Sequence, residues 1–239
     1  LVPHFEKMLY DNALLAVAYL EAWQATGNTD FQRVVNEILA YTGRDMTSPE
    51  GAFYSATDAD SKTISGHMEE GWYFTWTPGE LETILGKERA DIVKKYYAAG
   101  GTPNFEGRYI LHTPKKRKEI AAELHMSEDN LTTVIEASKK QLFRERNKRP
   151  APLRDEKILT AWNALMISAF ARAGLAFGNS EYTLQAKTAV RFILDHLYTN
   201  GRLYRSYKDR QVRHNGFLED YAFLIAALID LYEADHDIW

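Results

Sequence analysis

The feature that most constrains this 239-residue chain is a repeat inside it. Glu6-Lys7-Met8-Leu9, then Asn12-Ala13-Leu14-Leu15 and Gly27-Asn28, recurs about 150 residues later. There it reads Glu156-Lys157-Ile158-Leu159, Asn163-Ala164-Leu165-Met166 and Gly178-Asn179. The match continues from Val34–Leu39 to Ala189–Leu194, and from Gly51–Ser55 to Gly201–Arg205. A third copy opens at Glu219-Asp220-Tyr221-Ala222, which resembles Tyr10-Asp11-Asn12-Ala13. Each copy reads as a helix, a tight Gly-Asn turn, a second helix and an aromatic loop with a short strand or hairpin.

Such a unit cannot bury its apolar face alone, so copies must pack side by side. Apolar residues at three- and four-residue spacing predict helices over about 8–25, 30–42, 79–97, 128–146, 158–177, 181–199 and 217–234. The uneven spacing of the copies and their aromatic loop insertions favour a closed ring over an open solenoid. The expected fold is therefore all-α, an (α/α)6-toroid with short β-hairpins in its connecting loops. No stretch reads as an interdomain linker, so residues 1–239 are assigned to one domain, with 79–97 and 128–146 as a further helix pair. The chain starts at Leu1, not at a methionine, and Asp237-Ile238-Trp239 closes an apolar pattern without a capping signal. An internal fragment of the ring is expected, with apolar edges that promote self-association.

Composition removes several function classes. Twenty-nine basic against 33 acidic residues give no electrostatic footprint for nucleic acid. The Lys115-Lys116-Arg117-Lys118 run reads as a solvated loop or helix start. No apolar stretch is long enough for a bilayer span, so no membrane partner is expected. The absence of cysteine excludes thiol chemistry within these residues. It leaves the compartment open, with the cytoplasm favoured.

Several motifs resemble the YyaL-type proteins, bacterial relatives of the spermatogenesis-associated thioredoxin-like proteins. The residues that carry the resemblance are Val2–Ala13, Phe53–Ser61, Glu70–Trp76, Asn104–Gly107, Arg154–Asn163 and Gly216–Ala222. It spans essentially the whole chain. It implies the central part of a six-hairpin toroid similar to those of N-acylglucosamine 2-epimerases and several glycoside hydrolases. It further implies a thioredoxin-like domain elsewhere in the full-length protein as an intramolecular partner.

Glycoside hydrolysis uses two carboxyl groups, and sugar epimerisation uses a base beside a carbonyl. The candidate catalytic residues are accordingly Asp11, Asp155, Glu219 and Asp220, at the starts of first helices, with Asp58 and Asp60 on a loop between aromatic segments. Candidate substrate-binding residues are His4, Tyr10, Trp76, Arg154, Lys157, Trp162 and Tyr221. Aromatic faces stack on sugar rings, and the basic groups can neutralise the acids. Carboxylates are also favoured in a helix's first turn for capping and dipole reasons alone.

An EF-hand starting at Asp58 fails, because Lys62 and Thr63 fall where a ligand and a glycine belong. No His-Glu-x-x-His spacing and no phosphate-loop pattern occurs, so neither metal nor cofactor is expected. The expected function is binding or processing of a saccharide by a glycoside hydrolase-like or sugar epimerase-like domain. The alternative is a non-catalytic scaffold serving the thioredoxin-like domain.

Overall fold

The computed structural model describes residues 3–237; Leu1, Val2, Ile238 and Trp239, named above, lie outside the described residues. In chain order, β1 (Lys7–Met8), α1 (Leu9–Thr26), α2 (Thr29–Asp45) and β2 (Ala56–Thr57) come first. β3 (Asp60–Lys62), β4 (Met68–Glu70), α3 (Pro78–Leu85), α4 (Lys87–Tyr96), α5 (Arg117–Glu123) and α6 (Glu128–Arg146) follow. The remainder is β5 (Arg154–Asp155), β6 (Ile158–Leu159), α7 (Thr160–Phe177), α8 (Ser180–His196), β7 (Tyr198–Thr199), β8 (Arg202–Lys208), β9 (Gln211–Asn215) and α9 (Leu218–Asp235).

Where one domain is expected, the chain gathers into two compact units. A hairpin unit joins Lys7–Thr57 to the residues from Arg154 onward, and an insert unit joins the residues up to Glu6 to Asp58–Leu153. The physical reason is that each has its own buried apolar cluster.

The hairpin unit is built of helices joined in antiparallel pairs, with short antiparallel strand pairs in its connections. Both helix pairs turn in the same way. Gly27 (φ 67°) and Gly178 (φ 62°) adopt the left-handed conformation that ends a helix cheaply only without a Cβ. Asn28 and Asn179 then cap the next helix, accepting from the N–H of Asp30 and Glu181 at 3.0 Å.

In α1 the buried residues Leu9, Ala13, Ala16 and Leu20 recur at the spacing of one helix face. In α7 nearly every face is buried, including Ala164, Met166, Ile167, Ala169, Phe170 and Ala173, because α1, α8 and α9 all pack against it. Small side chains let those neighbours approach, while each large one contributes about 1.5–3 kcal/mol by leaving water. On α9, Phe223, Ile225 and Ile229 remain exposed.

The first helices run parallel. Tyr10 near the start of α1 meets Trp162 near the start of α7, with ring centroids 4.8 Å apart. At the other ends, Trp23 meets Phe177 at 4.9 Å. The start of α9 joins the same group, since Asp220 Oδ1 accepts from Ala161 N–H at 3.1 Å. Three helix starts are thereby fixed together at one end of the unit.

The insert unit departs further from the sequence expectation. The window 79–97 is two helices, because Gly86 (φ 77°, ψ 155°) leaves helical conformation between α3 and α4. With α5 and α6 these helices surround Leu81, Leu85, Val93, Ile120, Leu131 and Ile135, so this region is a four-helix cluster and not one hairpin. Gly71–Trp76 is mostly turn, and within it Trp76 bridges to Tyr109.

Candidate functional site

Two small sheets lead into the joined helix starts. In one, β2 pairs with both β1 and β5, setting Met8 opposite Ala56 and Ala56 opposite Asp155. In the other, β8 pairs with β6, β7 and β9, all antiparallel. These strands are too short to be a core of their own, and their register decides which charged groups meet.

The candidate acids differ in environment. Asp11 is exposed on the first turn of α1 and makes no hydrogen bond or ion pair among the described residues. Asp155 is half-buried and paired with Lys157 at 3.0 Å, and its carboxylate also accepts from the Lys157 N–H at 3.2 Å. Burial pushes its pKa up, but the Lys157 ammonium, that N–H and the Ser55 hydroxyl outweigh this and hold it below the ordinary aspartate value. Glu219 pairs with Arg205 at 2.6 Å, and Glu156 pairs with Arg154 at 2.7 Å. Arg154 also lies over the Tyr54 ring, 4.3 Å from its centroid, and donates to the Asp45 carbonyl.

Asp220 requires a correction. At 1% exposure it is closed to solvent, and both oxygens are occupied. Oδ1 accepts from Ala161 N–H; Oδ2 accepts from Phe217 N–H at 2.8 Å and from Arg205 at 3.3 Å. A carboxylate so satisfied caps α9 and ties it to α7, and it has no lone pair directed at a substrate. Tyr221 is likewise committed, its hydroxyl accepting from the Leu203 N–H at 2.9 Å.

Asp58, Asp60, His4 and Trp76 belong to the insert unit and not to the unit holding the other candidates. Asp58 closes a turn by accepting from Asp60 N–H at 3.1 Å, and Asp60 lies opposite Glu70 in the β3–β4 hairpin. His4 Nδ1 accepts from the Glu6 N–H at 3.2 Å. Trp76 is also a correction. It is 4% exposed within the core of the insert unit, beneath the Arg149 guanidinium at 4.1 Å, so it serves that unit's packing and only a small part of its ring reaches the surface.

The sequence reading missed Arg205, which joins Glu219 to Asp220 and lies over the Phe217 ring. Its hydrogen bond with Glu219 leads the effects that raise its pKa, against a smaller lowering by burial. Only the β8 register could have placed it there. Also missed was Glu80, which anchors the insert unit through Arg108 at 2.7 Å and Arg149 at 3.0 Å. The Thr77-Pro78-Gly79-Glu80 capping pattern was its available signal. No group of three or more acidic or histidine side chains that could hold a metal ion occurs among the described residues. No helix among them is long and apolar enough to cross a membrane.

The chain is 35% identical to spermatogenesis-associated protein 20 of Homo sapiens over 99% of this chain, and 33% identical to the Mus musculus protein over the same share. It spans about a third of the length of these curated relatives, 34% in each case. No family model matches. Among solved structures, cellobiose 2-epimerase from Spirochaeta thermophila is similar over 97% of this chain and 71% of that one, at 16% identity and a TM-score of 0.29. A D-mannose isomerase is similar over 95% of this chain and 58% of that one, at 14% identity and a TM-score of 0.29.

Proposed function

We propose that this chain, which belongs to the spermatogenesis-associated protein 20 family, binds a saccharide at the joined starts of α1, α7 and α9. The observation that carries this reading is the edge-to-face pair of Tyr10 and Trp162, with the unpaired Asp11 following Tyr10 in the first turn of α1. Both rings are partly exposed. An aromatic face takes the C–H side of a pyranose, and a carboxylate with vacant lone pairs accepts from sugar hydroxyls. Arg154 on β5 and Lys157 just after that strand, both half-exposed, add donors.

Binding is better supported than acid–base turnover. Hydrolysis needs one carboxyl group kept protonated near neutral pH beside a second that is ionised. Asp155 is held on the acidic side instead, Glu219 is engaged by Arg205, and Asp220 is sealed. Asp11 is the one candidate acid of this unit without a partner among the described residues.

These same ion pairs favour a second reading, a scaffold for the thioredoxin-like domain, in which the charges only tie loops together. Thermal-shift titration with a panel of mono- and disaccharides separates the two, since a ligand of the native state raises its melting temperature. A shift abolished by Trp162→Ala supports saccharide binding. No shift with any sugar, at concentrations up to tens of millimolar, leaves the scaffold reading.

A further inference from the structure

The insert unit contains a cavity of about 360 Å³ whose chemistry the proposed function does not use. Its floor is apolar, made by Trp76, Leu111 and Leu142, and its rim carries Lys139, Lys140 and Arg146. The one acid on the lining, Glu136, is engaged by Lys139 at 3.1 Å. Lys140 makes no ion pair among the described residues.

Arg146 is the informative residue. Its guanidinium carbon lies 5.2 Å from the Tyr73 ring centroid, 5.7 Å from Phe74 and 5.3 Å from Phe143, so aromatic faces surround it. It has no carboxylate or carbonyl partner among the described residues, and its Nε is shielded from solvent with no acceptor. Arg149, three residues on, is the reverse case. It donates to the carbonyls of Trp72, Tyr73 and Thr75 and to Glu80. One arginine is consumed by the fold, whereas its neighbour keeps charge and donors unspent at the edge of a cavity. Ring faces attract a cation but accept few hydrogen bonds, and a partly buried guanidinium without an acceptor is costly to maintain. Two cations above an apolar floor, in a space at the small end of ligand pockets, select an amphiphilic anion.

We propose that this cavity binds a small organic anion, its carboxylate or phosphate held by Arg146 and Lys140 and its ring or aliphatic body lying on Trp76, Leu111 and Leu142. The site lies wholly within the insert unit and is independent of the saccharide reading.

The test is calorimetric titration of the chain with phenyl phosphate and with benzoate, alongside inorganic phosphate as head group alone and phenol as body alone. At least one of the two organic anions should bind, each control should bind more weakly, and Arg146→Met and Lys140→Gln should each weaken binding about tenfold to a hundredfold. Which anion binds tells a phosphate from a carboxylate site. The Arg146 Nε–H resonance should shift in the nitrogen-edited proton spectrum on titration. If Arg146→Met does not fold, the exposed Lys140→Gln variant and that resonance decide. Absence of binding by both anions up to millimolar concentration, controls that bind as tightly, or affinity unchanged by Lys140→Gln with the resonance unmoved, would overturn the proposal.

Discussion

The side chain of Asn163 holds Phe53 by both of its backbone polar groups, accepting from the N–H at 2.8 Å and donating to the carbonyl at 2.9 Å. All three groups are buried, and the same amide also donates to Leu159 O at 3.0 Å within its own helix. Phe53 in turn lies flat against Phe170, with centroids 5.4 Å apart. The amide thus locks the loop after α2 onto α7. Asn12, at the matching position of α1, makes only the intrahelical half of this pattern, to Met8 O at 2.8 Å. Substituting Asn163→Ala strands a buried N–H and a buried carbonyl, so it should cost about 2–4 kcal/mol. Asn12→Ala should cost less than half as much. Urea denaturation of the two variants checks this, and equal losses would contradict the assignment.

Asp220 and Glu219 share Arg205 but should differ sharply on substitution. Glu219 is half-exposed, and a solvent-screened pair contributes little. Asp220→Ala removes the acceptor for two backbone N–H groups and leaves the Arg205 charge with one partner fewer, an expected loss of about 2–3 kcal/mol. Glu219→Gln should stay within about 0.5 kcal/mol of the parent protein. Thermal melts of both variants measure the contrast.

Acid should weaken the insert unit through Glu80. Burial raises the pKa of this carboxyl, but the Thr77 N–H and the Arg108 and Arg149 guanidinium groups together hold it below its ordinary value of 4.5. A group whose pKa is lowered on folding stabilises the protein fully above its unfolded value and loses that contribution as pH falls through the folded one. Stability should therefore decline from about pH 4.5 downward. Glu80→Gln should be less stable at neutral pH and show a flatter acid limb. Melting temperature measured across that range checks both.

The helix pairs were legible in the sequence because Gly27-Asn28 and Gly178-Asn179 state a termination and a cap in adjacent residues, and apolar spacing does the rest. The insert was not. Gly86 sits inside an unbroken apolar period, and nothing local distinguishes a glycine tolerated within a helix from one that ends it. Tyr10 and Trp162 were named together with Tyr221 because equivalent helix starts must lie on one side of the unit, whereas the ring contact between the first two appears only in the structure. The state of the acids was hidden, since Arg205 reaches Glu219 and Asp220 through strand register and Asp220 is sealed by its neighbours' packing. Trp76 shows the same limit, because an aromatic residue in a loop can cover a core as readily as line a cleft.

A sugar titration followed by tryptophan fluorescence tests the helix starts of α1, α7 and α9 as a saccharide-binding face. A saccharide that shifts the melting temperature should also perturb the emission of Trp162. Tyr10→Ala and Trp162→Ala should each weaken its binding at least about tenfold, while Asp11→Asn weakens it about threefold to tenfold and leaves the fold intact. Binding that survives all three substitutions unchanged, in variants that unfold like the parent protein, would contradict the assignment of this face.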